Sequence, residues 1–152
     1  MSNCVLMNMC MILNAETKQV LVQDKINSKW SGITFPGGHV DNNESIYEST
    51  VREIKEETGL SISDLKQAGI IYMNNPENHD KRLIFLFKTT HFKGKLINET
   101  DEGKIYWVSI HKLYDMKLAP NMLEYLELFL NDNLNELYIT PALNGNNNFT
   151  YL

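Results

Sequence analysis

Basic residues are scarce: 14 Lys and Arg stand against 19 Asp and Glu, leaving a net charge of −5. Such a chain has no broad electrostatic grip on duplex nucleic acid, and a phosphorylated partner would need a metal ion to offset its charge. Cysteine is rarer still. Cys4 and Cys10 lie six apart in one apolar stretch, a spacing that suits neither a local disulfide nor a redox pair, so both read as reduced thiols of a cytoplasmic protein. Long hydrophobic runs are also missing. The stretch Cys4 to Leu13 is interrupted by Asn8, lacks a basic leader and a small-residue cleavage site, and is about half the roughly 20 residues a bilayer requires. A soluble protein without a membrane partner is expected. The four histidines show no zinc spacing, and no serine sits in a GxSxG elbow, so zinc and serine hydrolase chemistry find no support.

What is present suits a packed core. With 152 residues, 43% hydrophobic and 22% charged, the chain fits one domain spanning 1–152, with no repeat and no linker. Val5 to Leu13 reads as a strand buried on both faces, with Gln19 to Gln23 as its hairpin partner. Lys29 to Gly38 reads as a short strand entering a tight loop at Gly37-Gly38. Glu44 to Thr58 contains no Pro or Gly and ends at Gly59, so it reads as a helix, with Tyr47, Val51 and Ile54 as its apolar stripe. Further strands follow at Ala68 to Met73, Arg82 to Thr90 and Lys104 to Ile110. Pro120 opens a second helix carrying Leu123, Leu126 and Leu130 at helical spacing. The tail from 144 to 152 reads as loose, with room for edge strands at Tyr138-Ile139 and Phe149 to Leu152. Mixed strands and two helices predict an α/β sandwich with helices on both faces.

The chemistry concentrates in Gly38-His-Val-Asp-Asn-Asn-Glu44, seven further residues, and then Arg52-Glu53-Ile54-Lys55-Glu56-Glu57-Thr58-Gly59-Leu60. At about 100° per residue, Glu53, Glu56 and Glu57 share an arc of about 100° on one helix face. Their mutual repulsion wants an offset, and a hard dication such as Mg²⁺, which prefers carboxylate and phosphate oxygens, supplies it. Arg52 stands one turn before Glu56 and is placed to hold a carboxylate. Gly37 and Gly38 let backbone approach an ion closely. Three glutamates alone would read as a solvated acidic face. Seven fixed identities in one window, however, coincide by chance with a probability on the order of 10⁻⁸ at average residue usage.

These residues resemble the Nudix box, Gly-x5-Glu-x7-Arg-Glu-(aliphatic)-x-Glu-Glu-x-Gly-(aliphatic), at every specified position from Gly38 to Leu60. The resemblance implies an α/β/α sandwich with a mixed sheet flanked by helices, and hydrolysis of a nucleoside diphosphate linked to another group, through metal-assisted attack of water on phosphorus. It assigns Glu53, Glu56, Glu57 and the Gly37 carbonyl to Mg²⁺, with Mn²⁺ as a substitute, and gives Glu53 or a neighbour the role of base. It also gives Arg52 the orienting of a carboxylate and Glu44 the bracing of the loop before the helix, with Gly38 and Gly59 as structural members.

Outside the box the chain resembles the MutT-like subgroup, which clears oxidised purine nucleotides such as 8-oxo-dGTP to the monophosphate and pyrophosphate. Phe35-Pro36-Gly37-Gly38 resembles that subgroup's lead into the box. The turn Thr100-Asp101-Glu102-Gly103 falls where a further metal-binding Glu stands, which implies Glu102, with Asp101 as a spare. Pro120-Asn121 falls where a polar side chain reads a purine edge. An amide offers one acceptor and two donors for that task, and a helix cap is the plainer use of Asn121. Phe35 is expected either to stack on the base or to join the core. Gln23 departs from the subgroup, standing where some members carry a basic residue, and the direction of Asn8 is left open. A small nucleotide partner is thus expected, with monomer and homodimer both open. An ADP-ribose pyrophosphatase is the rival, on Pro76 lying 16 residues past Leu60. A Nudix-fold nucleotide sensor is the rival of another class, disfavoured because no box carboxylate is missing.

Overall fold

A computed structural model describes residues 1–26 and 28–152. In chain order its strands are β1 Cys4–Asn14, β2 Gln19–Lys25, β3 Gly32–Thr34, β4 Gly37–His39, β5 Ser61–Ser63, β6 Lys66–Asn74, β7 Lys81–Thr89, β8 His91–Lys93, β9 Glu99–Thr100, β10 Gly103–Ser109, β11 Glu136–Pro141 and β12 Asn147–Tyr151. Helix α1 is Ile46–Thr58, α2 is Met122–Leu130, and a 3₁₀ turn spans Ile110–Asp115. The main sheet runs β12-β11-β6-β7-β1-β2-β10-β9. It is mixed: β1 runs parallel to β7 and β11 parallel to β6, while the other pairs are antiparallel.

The two faces of β1 explain the sandwich. Successive side chains of a strand point to opposite faces. Met9 and Met11 pack with Leu126 and Phe129 of α2, whereas Cys10 and Ile12 pack with Ile54 of α1. One helix therefore covers each face, and the uninterrupted apolar run of β1 follows from burial on both sides. Among the described residues no helix is long and apolar enough to cross a membrane.

The sheet is split where the site lies. Strands β1 and β2 pair only at Leu13↔Val20 and Asn14↔Gln19, beside their turn. Beyond that point β4 lies along β1, with Asn8↔Gly38 and Met9↔Gly37, and β3 lies along β2, with Gln23↔Thr34. The segment Phe35-Pro36 bridges the gap, and the Cys10 amide donates to the Pro36 carbonyl at 2.9 Å.

Several sequence expectations need correction. Helix α1 begins at Ile46 rather than Glu44, because Ser45 and Glu48 form a reciprocal capping box. Its buried face is Ser49, Thr50, Ile54 and Thr58, and Tyr47 is 43% exposed. Small hydroxyl residues allow close approach to the sheet, and each satisfies itself on a carbonyl of its own helix, Thr50 on Ile46 at 2.8 Å and Thr58 on Ile54 at 2.6 Å. On α2, Leu126 is buried but Leu123 and Leu130 are exposed, since Met122, Tyr125 and Phe129 supply the apolar stripe. In the tail the edge strands expected at Tyr138-Ile139 and Phe149 to Leu152 are present and the expected looseness is not: β12 pairs with β11 from Leu137↔Tyr151 to Pro141↔Asn147 and closes that edge of the sheet.

Candidate active site

Arg52 organises the carboxylates. Its Nε and Nη2 donate to the two oxygens of Glu44 at 2.9 and 2.7 Å, a bidentate fork. Nη1 donates to Glu53 and to Glu56, both at 3.1 Å, and Nη2 also reaches the His39 carbonyl at 3.0 Å. Glu44 in turn accepts the Asp41 amide at 2.7 Å, and Arg52 also pairs with the Asp41 carboxylate at 3.3 Å, so two ion pairs tie the loop before α1 to the helix. The Arg52 fork and that amide hold the Glu44 carboxyl below its ordinary range.

The three glutamates diverge in exposure. Glu56 is 59% exposed, while the Glu53 side chain is 15% exposed beside Gly38. Glu57 turns inward and accepts the Gly37 amide at 3.1 Å. Among the described residues no three acidic, histidine or cysteine side chains already close into one cage. Burial pushes both inner carboxyls up. For Glu57 the value rises to about 8, driven by burial first and by the charges of Glu102 and Glu53 after it, against the pull of the Gly37 amide and Lys25. For Glu53 burial again leads, opposed by Arg52.

That electrostatic imbalance fits a divalent cation. The donor set is hard oxygen, and nearby Arg52, Lys25 and a backbone amide leave negative charge uncompensated in a partly buried place. Glu53, Glu56, Glu57, the Gly37 carbonyl and Glu102 are the groups that could hold it. Glu102 stands on the β9–β10 turn, its amide bonded to Thr100 at 3.2 Å, and its carboxylate accepts Gln23 Nε2 at 3.3 Å.

A pH test follows, and its sign is fixed by the raised value for Glu57. In the unfolded chain this carboxyl ionises near 4.5, whereas in the folded, metal-free protein it holds its proton until about pH 8. The folded state binds more protons across that window, so stability falls as pH rises through it. In the presence of chelator, the melting temperature should decline between about pH 5 and 8. Glu57→Gln should flatten the slope, and a wild-type profile level across the window would contradict the buried carboxyl.

Beside the carboxylates lies a cavity of about 260 Å³ reaching from Gly37 and Gly38 to Asn121, Trp30 and Tyr125. Small-ligand pockets begin at roughly 300 Å³, so this one suits a nucleoside whose phosphates project outward. A wider groove of about 590 Å³ near Tyr47, Lys66 and His91 contains neither box glycine nor any box carboxylate, and is set aside as the reaction site.

Asn121 lines the cavity in the left-handed region, φ 68°, and its side chain caps nothing. The helix thus starts uncapped with a strained residue facing a pocket, an arrangement met at functional positions. Trp30 lies 6.3 Å from Tyr125, ring centre to ring centre, and its indole N–H donates to the Pro120 carbonyl, which holds that wall in place. Of the two uses expected of Phe35, the core one is seen: the residue is 2% exposed and its ring meets Phe129 edge-on at 5.0 Å, while it also forms part of the cavity wall. Pro76 sits in the β6–β7 turn and does not line the cavity.

Sequence reasoning missed Asn8, Tyr125 and Arg82, all of which line the cavity. Asn8 is buried, donating to Ser49 at 2.9 Å and accepting from the Gly38 amide at 3.2 Å, so it ties β1 to both α1 and the box loop. A polar residue inside the apolar run of β1 was the available signal. Tyr125, one helical turn past Asn121, was the other.

The family model described as the NUDIX domain matches residues 7–129. A relative named putative 8-oxo-dGTP diphosphatase, from Bacillus subtilis (strain 168), is 30% identical over 120 residues, covering 79% of this chain and 76% of its own. The ADP-ribose pyrophosphatase of Methanocaldococcus jannaschii is 30% identical over 98 residues, covering 62% and 57%. In structure, the chain is similar to the mutator MutT protein of Bacillus halodurans, with a TM-score of 0.78, 23% identity and 97% of each chain covered. With the family model spanning most of the chain and every box residue in place around Arg52, this chain belongs to the Nudix family of hydrolases.

Proposed function

We propose that this Nudix hydrolase uses Mg²⁺, or Mn²⁺ in its place, to cleave a nucleoside triphosphate, an oxidised purine such as 8-oxo-dGTP, into the monophosphate and pyrophosphate. The observation that carries this reading is Asn121, an uncapped amide facing a nucleoside-sized cavity that opens past Gly37 and Gly38 onto the carboxylates. The greater coverage of the relative named for 8-oxo-dGTP, against the one named for ADP-ribose, supports it. So does the edge chemistry of the base. 8-Oxoguanine carries an N7–H donor beside its O6 acceptor, and one carboxamide can meet both, accepting with Oδ1 and donating with Nδ2. Ordinary guanine offers two acceptors there, N7 and O6, and the Asn121 carbonyl then loses its partner.

At the other end of the cavity, Arg52 holds Glu53 and Glu56 while Glu57 rests on the Gly37 amide. A divalent cation held by these carboxylates would neutralise charge on the phosphoryl oxygens and make water a better nucleophile. Glu53 and Glu57, whose surroundings favour proton uptake, are the candidates for accepting the proton of the attacking water. Glu102, whose charge acts on Glu57, would add a further carboxylate to that ion. Free thiols at Cys4 and Cys10 suit a reducing cytoplasm.

A panel of nucleoside triphosphates, 8-oxo-dGTP, ADP-ribose and dinucleoside polyphosphates, assayed with Mg²⁺ for monophosphate release, tests the reading. The oxidised purine should lead, and Asn121→Ala should lower kcat/KM on it at least about tenfold while changing a pyrimidine triphosphate far less, as loss of a two-point contact requires. Equal losses, or preference for ADP-ribose, would overturn the substrate assignment, and an inert panel would leave a nucleotide sensor.

A further inference from the structure

Gln23 is the odd residue of the cavity wall. Its side chain is buried, with 1% of the residue exposed, and it lines the cavity. Its Nε2 is engaged by the Glu102 carboxylate, yet its Oε1 is buried with no hydrogen-bond partner among the described residues. Turning the amide over would bring Oε1 against a carboxylate, acceptor against acceptor, so the bond to Glu102 fixes which atom is left over. A buried acceptor without a donor is costly, and native proteins rarely keep one without a use.

The leftover atom calls for a donor brought by the ligand. Along the cavity, Asn121 and Tyr125 mark one end and Gly37 the other, while Gln23 sits on β2 opposite Thr34 and is bonded to Glu102, beside the carboxylate end. In a nucleotide laid with its base at Asn121, the part between base and phosphates is the sugar. Phosphate oxygens are ionised and offer no hydrogen at neutral pH, and the N–H groups of the base lie at the far end. A sugar hydroxyl is the donor that remains. Resting on the nucleotide reading of the cavity, we infer that the Gln23 carbonyl accepts a hydrogen bond from a sugar hydroxyl of the substrate and makes the enzyme selective for it. Glu102 then has a second task, holding the amide so that its carbonyl is the atom left without a partner in the cavity wall.

The test compares 8-oxo-GTP, 8-oxo-dGTP and the 2′,3′-dideoxy form of the same triphosphate, with Mg²⁺, by kcat/KM. In the wild type one removal of a hydroxyl should cost about tenfold or more, at the step from ribose to deoxyribose for the 2′ group or from deoxyribose to dideoxyribose for the 3′ group. Gln23→Met, close in length and with no strong acceptor, should shrink that step below about threefold while the other two positions of the substrate are read as before. A merely structural role for Gln23 would lower all three rates together and leave the step intact, which overturns the inference. Equal wild-type rates on all three overturn it as well, while leaving the nucleotide reading standing. A wild type that cleaves none of them overturns the nucleotide reading and this inference with it. Gln23→Leu gives a second variant with the same expected readout, and equal wild-type rates overturn the inference whether or not either variant folds.

Discussion

Glu57→Gln should reduce turnover at least about a hundredfold without unfolding the protein, and Glu53→Gln should do the same. Both side chains are held from outside their own charge: Glu53 by Arg52 at 3.1 Å, Glu57 by the Gly37 amide at 3.1 Å. The neutral amide keeps the size and an acceptor oxygen, so the helix and the loop stay as they are. What is lost is negative oxygen for the cation and the capacity to take a proton. Removing the burdened carboxylate should even stabilise the metal-free fold above about pH 8, because burial penalises the ionised Glu57 there. The measurement is kcat at saturating Mg²⁺ alongside the melting temperature. Near-normal turnover in both variants would remove these side chains from the chemistry.

The second large effect separates two neighbouring glycines. A methyl group at Gly38 would run into the Glu53 carboxylate, whereas at Gly37 it would run into the backbone of Asn8 and Met9. A side chain can rotate away and a β-strand cannot. Gly38→Ala should therefore fold normally and lose activity by about tenfold or more, because it displaces a carboxylate that must stay in place. Gly37→Ala should instead destabilise the protein by about 1–3 kcal/mol, the usual cost of overpacking against rigid neighbours. Chemical denaturation and kcat, measured on both variants, check the split. Equal stability losses would mean that the Glu53 side chain is as immobile as the strand.

How much was legible beforehand depended on whether spacing or depth carried the information. Helical geometry alone brought Glu53, Glu56 and Glu57 together and placed Arg52 within reach of Glu56, and their separation of 3.1 Å agrees. The capping box was legible too, in Ser45-Ile46-Tyr47-Glu48, but a scan for apolar spacing passes over it. Depth was not legible. Thr50 and Thr58 look like surface residues until each is seen bonding a carbonyl of its own helix, and Tyr47 looks like core until the helix is seated. Nothing local could say that β1 and β2 part after one hairpin turn, and that parting is what creates the cavity. Phe35 stood next to the box, and only the seating of α2 shows it to be a buried part of the cavity wall that meets Phe129. The use of Gln23 depended on Glu102, which lies 79 positions away in the chain.

Titration of the protein with Mn²⁺, followed by calorimetry, tests the central claim most directly: that one face of α1 holds a divalent cation at the mouth of the nucleoside cavity. The wild type should bind the ion saturably, with affinity rising between about pH 5 and 8 as the buried carboxyl gives up its proton. The double variant Glu53→Gln, Glu57→Gln should lose that binding. Unchanged Mn²⁺ affinity in the double variant would contradict the account.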